Sequence, residues 1–403
     1  MLISRFPAAP AVNPADILLR CAAATEPLQG GDARVLDFLD QLGRLLREKA
    51  RQYPALGALG SWLRRTHLAH LWADLAGNTT RLRFPRGLVF HIAPGNADTV
   101  FVYAWALAAL AGNCNVVRLS TRSGVLTDVI IDAMARANAD PVVAQTQYLL
   151  SYPHTDVHIT AAFSAACDLR VLWGGDASIN ATRQQPLRPA ARDLTFANRA
   201  SFALIDAAAF NQAAPAGQQA LLSAFYTDVY LFDQAACASP ATLIWVGPAA
   251  TVEAAQAVFF SLLEAEVAAR GLQLDAAMAI EKFSALYGLA IAGTATALRF
   301  SSNEIAQADL TRQPPYLCRH WSGAGAFPQL RLATLDALIP LLQRTDQTLA
   351  YYGFSVAEMQ GFAQRAAHKG LDRIVPIGQA LAFAPVWDGY DLLREFTRLV
   401  SVD

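Results

Sequence analysis

Cys237 stands in the run Phe232-Asp233-Gln234-Ala235-Ala236-Cys237-Ala238-Ser239-Pro240, among small and polar residues and between stretches of helical and strand character. A thiol in such a loop is reachable, and a reachable thiol whose pKa is lowered attacks acyl groups. The loop alone leaves Cys237 open between nucleophile and bystander. Cys114 lies against a predicted core strand, and Cys21 and Cys167 lie in alanine-rich, helix-like runs. The five cysteines, at 21, 114, 167, 237 and 318, are odd in number and include no Cys-x-x-Cys pair. Neither a disulfide framework nor a thiolate zinc site is expected, and each thiol is expected to be free. The pairs His67/His70 and His154/His158 could each share a helical face, but with no His-Glu-x-x-His frame or third ligand no metal site is expected.

Three further clusters carry polar or conformationally special residues at predicted strand ends. Ala93-Pro94-Gly95-Asn96 follows the β-rich run Leu88–Ile92; Asn96 offers an amide donor, or else a turn residue tolerant of unusual backbone angles. Gly174-Gly175-Asp176 follows Arg170–Trp173; its glycines permit close backbone approach to a phosphate, while Asp176 could instead cap a helix. Arg118, Ser120, Thr121 and Arg122 form a basic, hydroxyl-rich group after a strand, suited to phosphate, or else a solvated strand end.

The elements that must position these residues alternate. Strand 88–92, a turn, a helix from about Asp98 to Gly112 and strand 115–119 make a βαβ unit, whose ligand belongs beyond the strands' carboxyl ends. A Gly-x-Gly-x-x-Gly fingerprint is absent at these strand ends, so any nicotinamide site is built differently from the standard dehydrogenase. Residues 16–76 read as a helical preface. Near residue 205 a second α/β alternation begins: helix 217–229, loop 232–240, strand 242–246, helix 252–270. Arg373–Gly378 and Trp387–Tyr390 read as a strand and a turn. The 403 residues are 54% apolar and 16% charged, a globular composition with room for two or three domains. A net charge of -1, with both signs scattered, argues against nucleic acid as a partner. The longest apolar run, Val100–Ala111, is too short to span a bilayer and reads as a buried helix. The N-terminus lacks a signal-peptide pattern, and a cytoplasmic protein without an integral membrane segment is expected.

Five blocks in order resemble the acyl-CoA reductase family typified by the bioluminescence fatty acid reductase, LuxC. They are Gly87–Asn96 with Val102–Leu107; Ala111–Asn113 with Val116–Ser120; Trp173–Asp176; Phe232–Pro240; and Arg373–Gln379 with Trp387–Tyr390. The resemblance extends to the aldehyde dehydrogenase-like superfamily. It implies an α/β fold of two domains, a Rossmann-like cofactor domain and a catalytic domain, with the active site between them. Carried over by position, it implies that Cys237 is the catalytic cysteine and that Asn96, in Pro94-Gly95-Asn96, helps form an oxyanion hole. It also implies that Ala111–Ser120, with Arg118 in place of a lysine, holds the adenosine ribose. The domains are expected at 1–205 (helical region and NAD(P)-binding domain), 206–370 (catalytic domain) and 371–403 (return to the cofactor domain).

One departure bears on direction. Where oxidative members carry a glutamate base, the loosely matching stretch reads Thr195-Phe196-Ala197-Asn198-Arg199, with no carboxylate. Water is then poorly activated, and the acyl-enzyme leaves by exchange with a thiol or by reduction. The reading is reduction of a fatty acyl thioester to the aldehyde through a Cys237 acyl-enzyme, with NADPH in preference to NADH because Arg118, Ser120 and Arg122 suit a 2′-phosphate. The dinucleotide is expected to meet Pro94, Gly95, Gly174, Gly175 and Asp176 as well. The donor is acyl-CoA, an acyl carrier or an acyl-protein synthetase, and a homo-oligomer is plausible from the family. The alternatives are an oxidative aldehyde dehydrogenase and a non-redox carrier or scaffold acylated on Cys237.

Overall fold

The computed structural model describes all residues except 1, 10–11, 24–27, 78–80, 95–97, 122–123, 138, 312, 314 and 403. The chain divides into two compact units, residues 1–198 with 383–403, and residues 199–382.

The first unit holds β1 (Ile3–Phe6), β2 (Arg81–Pro85), β3 (Leu88–Ile92), β4 (Cys114–Leu119), β5 (Gln147–Ser151), β6 (Leu169–Trp173) and β7 (Arg192–Phe196). Its six-stranded sheet has the order β1-β5-β4-β3-β6-β7 and is parallel except for β1. From β3 the chain steps outward through β4 and β5, then returns to the other side of β3 for β6 and β7, so the order reverses between β3 and β6. The apolar run is the helix Asp98–Leu110, and from Phe101 to Ala111 every residue is buried. A helix covered all round needs no polar face, which is why its sequence carries no 3.6-residue alternation. Before β2 lie the helices Pro14–Ala22, Ala33–Glu48, Pro54–Trp62 and Arg65–Ala76, the expected helical preface.

The second unit holds β8 (Ala200–Asp206), β9 (Pro240–Val246), β10 (Ala295–Phe300), β11 (Ala306–Leu310), β12 (Ala326–Leu332), β13 (Asp346–Tyr352) and β14 (Arg373–Pro376). Its sheet order is β10-β11-β12-β9-β8-β13-β14, with only β10 antiparallel. Central parallel strands are covered on both faces and read as unbroken apolar runs; Phe202 to Ile205 of β8 are fully buried. The chain then forms the hairpin β15 (Val386–Trp387) and β16 (Tyr390–Asp391), and β17 (Thr397–Ser401), which pairs antiparallel with β2. Asp388 and Gly389 both have positive φ (50° and 77°), as a two-residue hairpin turn requires.

The structure differs from four expectations. The first division falls at 198/199 rather than 205/206, because β8 pairs with β9 and β13 and so belongs wholly to the second unit. The return to the first unit begins at 383 rather than 371, because β14 extends the second sheet beside β13. Cys21 and Cys114, expected free, form a disulfide that ties the helix Pro14–Ala22 to the start of β4; residues so far apart in sequence give no spacing signal. His154 and His158 do not share a helix, since the helix after β5 begins at Val157.

Candidate active site

Cys237 sits in the loop between the helix Pro215–Tyr230 and β9, at the amino edge of the second sheet. The loop is stitched down by Gln234, whose side chain is buried: Nε2 donates to the carbonyls of Pro240 (2.8 Å) and Ala326 (3.0 Å), and Oε1 accepts the Gly325 N–H (3.0 Å). These bonds accompany the left-handed backbone at Asp233 and Gln234 (φ 50° and 58°), which costs side-chain-bearing residues energy unless the surroundings fix it. Gly325 has to be glycine: a Cβ there would lie 1.8 Å from the Glu304 carbonyl oxygen, at a φ of 71°. The Trp321 indole N–H donates to the Asp233 carbonyl at 2.9 Å.

Cys237 itself is half-buried. The Gln347 side-chain amide Nε2 donates to its sulfur at 3.4 Å, and the Ser201 hydroxyl donates to its carbonyl oxygen at 2.7 Å. Ser201 is the second residue of β8 and Gln347 the second of β13, so the ends of two neighbouring strands converge on the cysteine. The other thiols are placed otherwise. Cys167 and Cys318 are buried, and burial pushes the first up to about 12 and the second up as well; Cys21 and Cys114 are paired. Cys237 is therefore the one cysteine that lies outside a disulfide and is partly open.

Two carboxyls flank the loop. Burial pushes the Asp233 carboxyl up, with the Asp275 charge adding to it. Burial also pushes Asp228 up to about 6, against the N–H groups of Gly378 (2.6 Å), Ala380 (3.1 Å) and Leu381 and the Arg373 charge, all of which pull it down. Asp228 thus fastens the turn of the Arg373–Gln379 block to the helix that precedes the cysteine loop.

In the first unit the remaining candidates gather at the carboxyl edge of the parallel strands. Pro94 follows β3, Ser120 follows β4, and Gly174 and Gly175 follow β6, so the β3 and β6 loops flank the reversal of strand order. In open α/β sheets that is where ligands bind. Arg118, in β4, turns its guanidinium over the Tyr152 ring at 5.2 Å and donates through Nη2 to the Tyr152 carbonyl at 3.5 Å; its Nε is buried without a partner. Asp176 is the first residue of the helix Asp176–Arg183 rather than its cap, and its carboxylate accepts the Asn198 N–H at 3.1 Å. Asn113 is wholly buried and bridges the carbonyls of Ala108 and Phe396 and the Gly87 N–H, each at 2.9 Å, so its work is structural. Gly95, Asn96 and Arg122 lie outside the described residues. Among the described residues no group of three or more His, Cys, Asp or Glu side chains is arranged to hold a metal, and no helix is long and apolar enough to cross a membrane.

The sequence matches the acyl-CoA reductase (LuxC) family over residues 73–286, just over half the chain and including the cysteine loop. The chain belongs to the LuxC acyl-CoA reductase family. A search of curated proteins gives no significant match. Among solved structures, the NAD-dependent aldehyde dehydrogenase of Sinorhizobium meliloti is similar at 14% identity and a TM-score of 0.67, covering 100% of this chain and 91% of that one. Aldehyde dehydrogenase 21 of Physcomitrella patens, bound to succinate, has 10% identity and a TM-score of 0.71, covering 100% and 94%. An indole-3-acetaldehyde dehydrogenase complexed with NAD+ has 13% identity and a TM-score of 0.69, covering 98% and 90%. These likenesses show the aldehyde dehydrogenase-like fold expected from the motifs. Membership of the family makes this LuxC-type chain an aldehyde-related oxidoreductase. Sequence reasoning missed Gln347 and Ser201. Their only trace was polar residues at the start of otherwise apolar strands.

Proposed function

We propose that this protein reduces an acyl thioester, carried by CoA or by a protein, to the aldehyde, with NADPH as reductant and Cys237 as the residue that takes up the acyl group. The observation carrying the reading is that Cys237, in the family's cysteine loop, is the half-open thiol outside a disulfide and meets an N–H donor at its sulfur. The Cys237 thiolate attacks the thioester carbonyl, forming a carbon–sulfur bond and an oxyanion. The oxyanion collapses, the bond to the carrier sulfur breaks, and the acyl group remains on Cys237 while the carrier leaves as a thiolate that takes its proton from solvent. Asn96 and the Cys237 backbone N–H are the proposed oxyanion donors, one such donor being worth about 2.7–4 kcal/mol in comparable sites. A nicotinamide, when bound, supplies hydride. Cys237 is finally expelled as thiolate as the aldehyde leaves.

The residues of the first unit fit a dinucleotide. Gly175 is not demanded by packing, since an added Cβ would meet only Asn198 at an ordinary 3.4 Å, which leaves its backbone free for close approach by a phosphate. Arg118, with a buried N–H to spare, and Ser120 and Arg122 are the proposed 2′-phosphate partners, and Pro94, Gly95, Gly174 and Asp176 the remaining cofactor contacts. The stretch 195–199 ends with Asn198, bonded through its N–H to Asp176, and Arg199, paired with Asp372; it holds no carboxylate to activate water. That favours reduction over hydrolysis. An acyl-protein synthetase as donor and assembly with further copies belong to the same proposal.

The test is NADPH oxidation at 340 nm over a panel of acyl-CoAs, with trapped aldehyde as product. Cys237→Ala is expected to abolish turnover while leaving NADPH binding intact. Full turnover in that variant, or conversion of aldehyde and NADP+ to free acid without added thiol, overturns the reading.

A further inference from the structure

The amino edge of the second sheet holds a buried polar cluster around Cys237, of which the reading above uses one contact. Gln347 is 2% exposed; its Nε2 faces the Cys237 sulfur at 3.4 Å, and its Oε1 lies 3.5 Å from the Thr348 hydroxyl and 3.3 Å from the Ser201 oxygen. Ser201 also accepts the Thr348 N–H at 3.1 Å and donates to the Cys237 carbonyl at 2.7 Å. The start of β13 is fixed in turn by Asp346. Its carboxylate is wholly buried, takes two bonds from the Arg319 guanidinium (2.7 and 2.9 Å), and accepts the Gln343 N–H at 2.7 Å.

A buried amide is tolerated only where its donors and acceptor find partners. Here one partner of the donor end is a sulfur 110 residues away in the chain. An N–H aimed at sulfur is a weak bond to a thiol and a charge-assisted one to a thiolate, so it favours the ionised form. It acts twice in a thioester exchange, once when the thiolate is formed for attack and once when Cys237 must leave again as thiolate.

We propose that Gln347 is the positioning residue of Cys237, its side-chain amide holding the sulfur at the strand edge and lowering the thiol pKa, with the Thr348 hydroxyl donating to the amide oxygen. This rests on Cys237 as the acyl-carrying residue. The orientation matters. A reversed amide would accept from the thiol and raise its pKa, so the direction of the shift separates the two arrangements.

The experiment is the pH dependence of iodoacetamide alkylation of Cys237, followed by mass spectrometry of its peptide in the full-length folded protein. Wild type is compared with Gln347→Met, which keeps volume and loses the donor, and with Gln347→Glu, which keeps an acceptor for Thr348 and places an anion beside the sulfur. Both variants are expected to raise the alkylation midpoint by about one pH unit or more, with roughly tenfold slower alkylation at neutral pH. Reductase turnover falls with them and recovers as pH is raised. Should Gln347→Met fail to fold, as judged by circular dichroism, Gln347→Leu, which likewise lacks the donor and carries no charge, takes its place. A midpoint unchanged or lowered overturns the proposal, even where Cys237→Ala abolishes turnover and so upholds the acyl-enzyme reading. A raised midpoint with full turnover in Cys237→Ala overturns the acyl-enzyme reading and, with it, the catalytic consequence of the contact.

Discussion

At the scale of the residue, what sets Cys237 apart is exposure and partners rather than identity. A thiol sealed in apolar surroundings is driven to its neutral form and is inert. Cys167, pushed up to about 12, and Cys318 are in that state, the first donating to the Ser164 carbonyl at 3.3 Å. Brief treatment of the native protein with iodoacetamide is therefore expected to label Cys237 and leave Cys167 and Cys318 unmodified. After denaturation without reductant the three cysteines outside the disulfide react, and reduction releases Cys21 and Cys114 as well. Peptide mapping reads both results, and early labelling of Cys167 or Cys318 would contradict the burial argument.

At the scale of the element, the site depends on where strands begin. The starts of β8 and β13 bring Ser201 and Gln347 to the cysteine, and the Arg319–Asp346 pair sets the start of β13. Removing one member of a buried pair strands the other charge in a poorly solvated place, so Asp346→Ala is expected to cost about 3–5 kcal/mol in denaturant unfolding. A loss under about 1 kcal/mol would show that the Arg319 side chain, 17% exposed, finds water instead. Arg170 does similar service in the first unit. It is 1% exposed and joins Asp193 of β7 to Ser164 and to the carbonyls of Thr182 and Gln185, fixing the far end of the helix that begins at the Gly174-Gly175 turn.

At the scale of the whole molecule, the two units carry buried titrating groups of opposite sign. Asp228 of the second unit has a folded pKa of about 6, above the 3.8 of an unhindered aspartate. Between those values the folded chain holds a proton that the unfolded chain has lost, so its contribution to stability falls as pH rises from about 4 to 6. His91 of the first unit, bonded to Asn115 at 3.0 Å, is pushed down by burial to about 4 from 6.5. Over that window the unfolded chain holds the extra proton, and stability falls as pH drops. Asp228→Asn removes only the first slope. Compared with wild type it should be relatively more stable at pH 7 than at pH 4.5, unless loss of the turn contacts dominates, which would show as an equal loss at both pH values. Unfolding curves at the two pH values decide it.

Local signals in the sequence carried the fold family, the strands β3, β4, β6, β9 and β14 with the helices beside them, and the cysteine to consider: apolar runs of strand length, glycine and asparagine turns, and motif blocks in order. Strands β5, β7 and β10 to β13 gave no such reading. The run Val100–Ala111 was legible as a buried helix since nothing polar interrupts it. Tertiary structure alone decided the division points, since β8 and β14 take their allegiance from the strands they pair with. It alone joined Cys21 to Cys114, and it alone brought Gln347 and Ser201 to Cys237. A parallel sheet sets side by side strands that are far apart along the chain, and no pattern within either segment records which strand its neighbour will be.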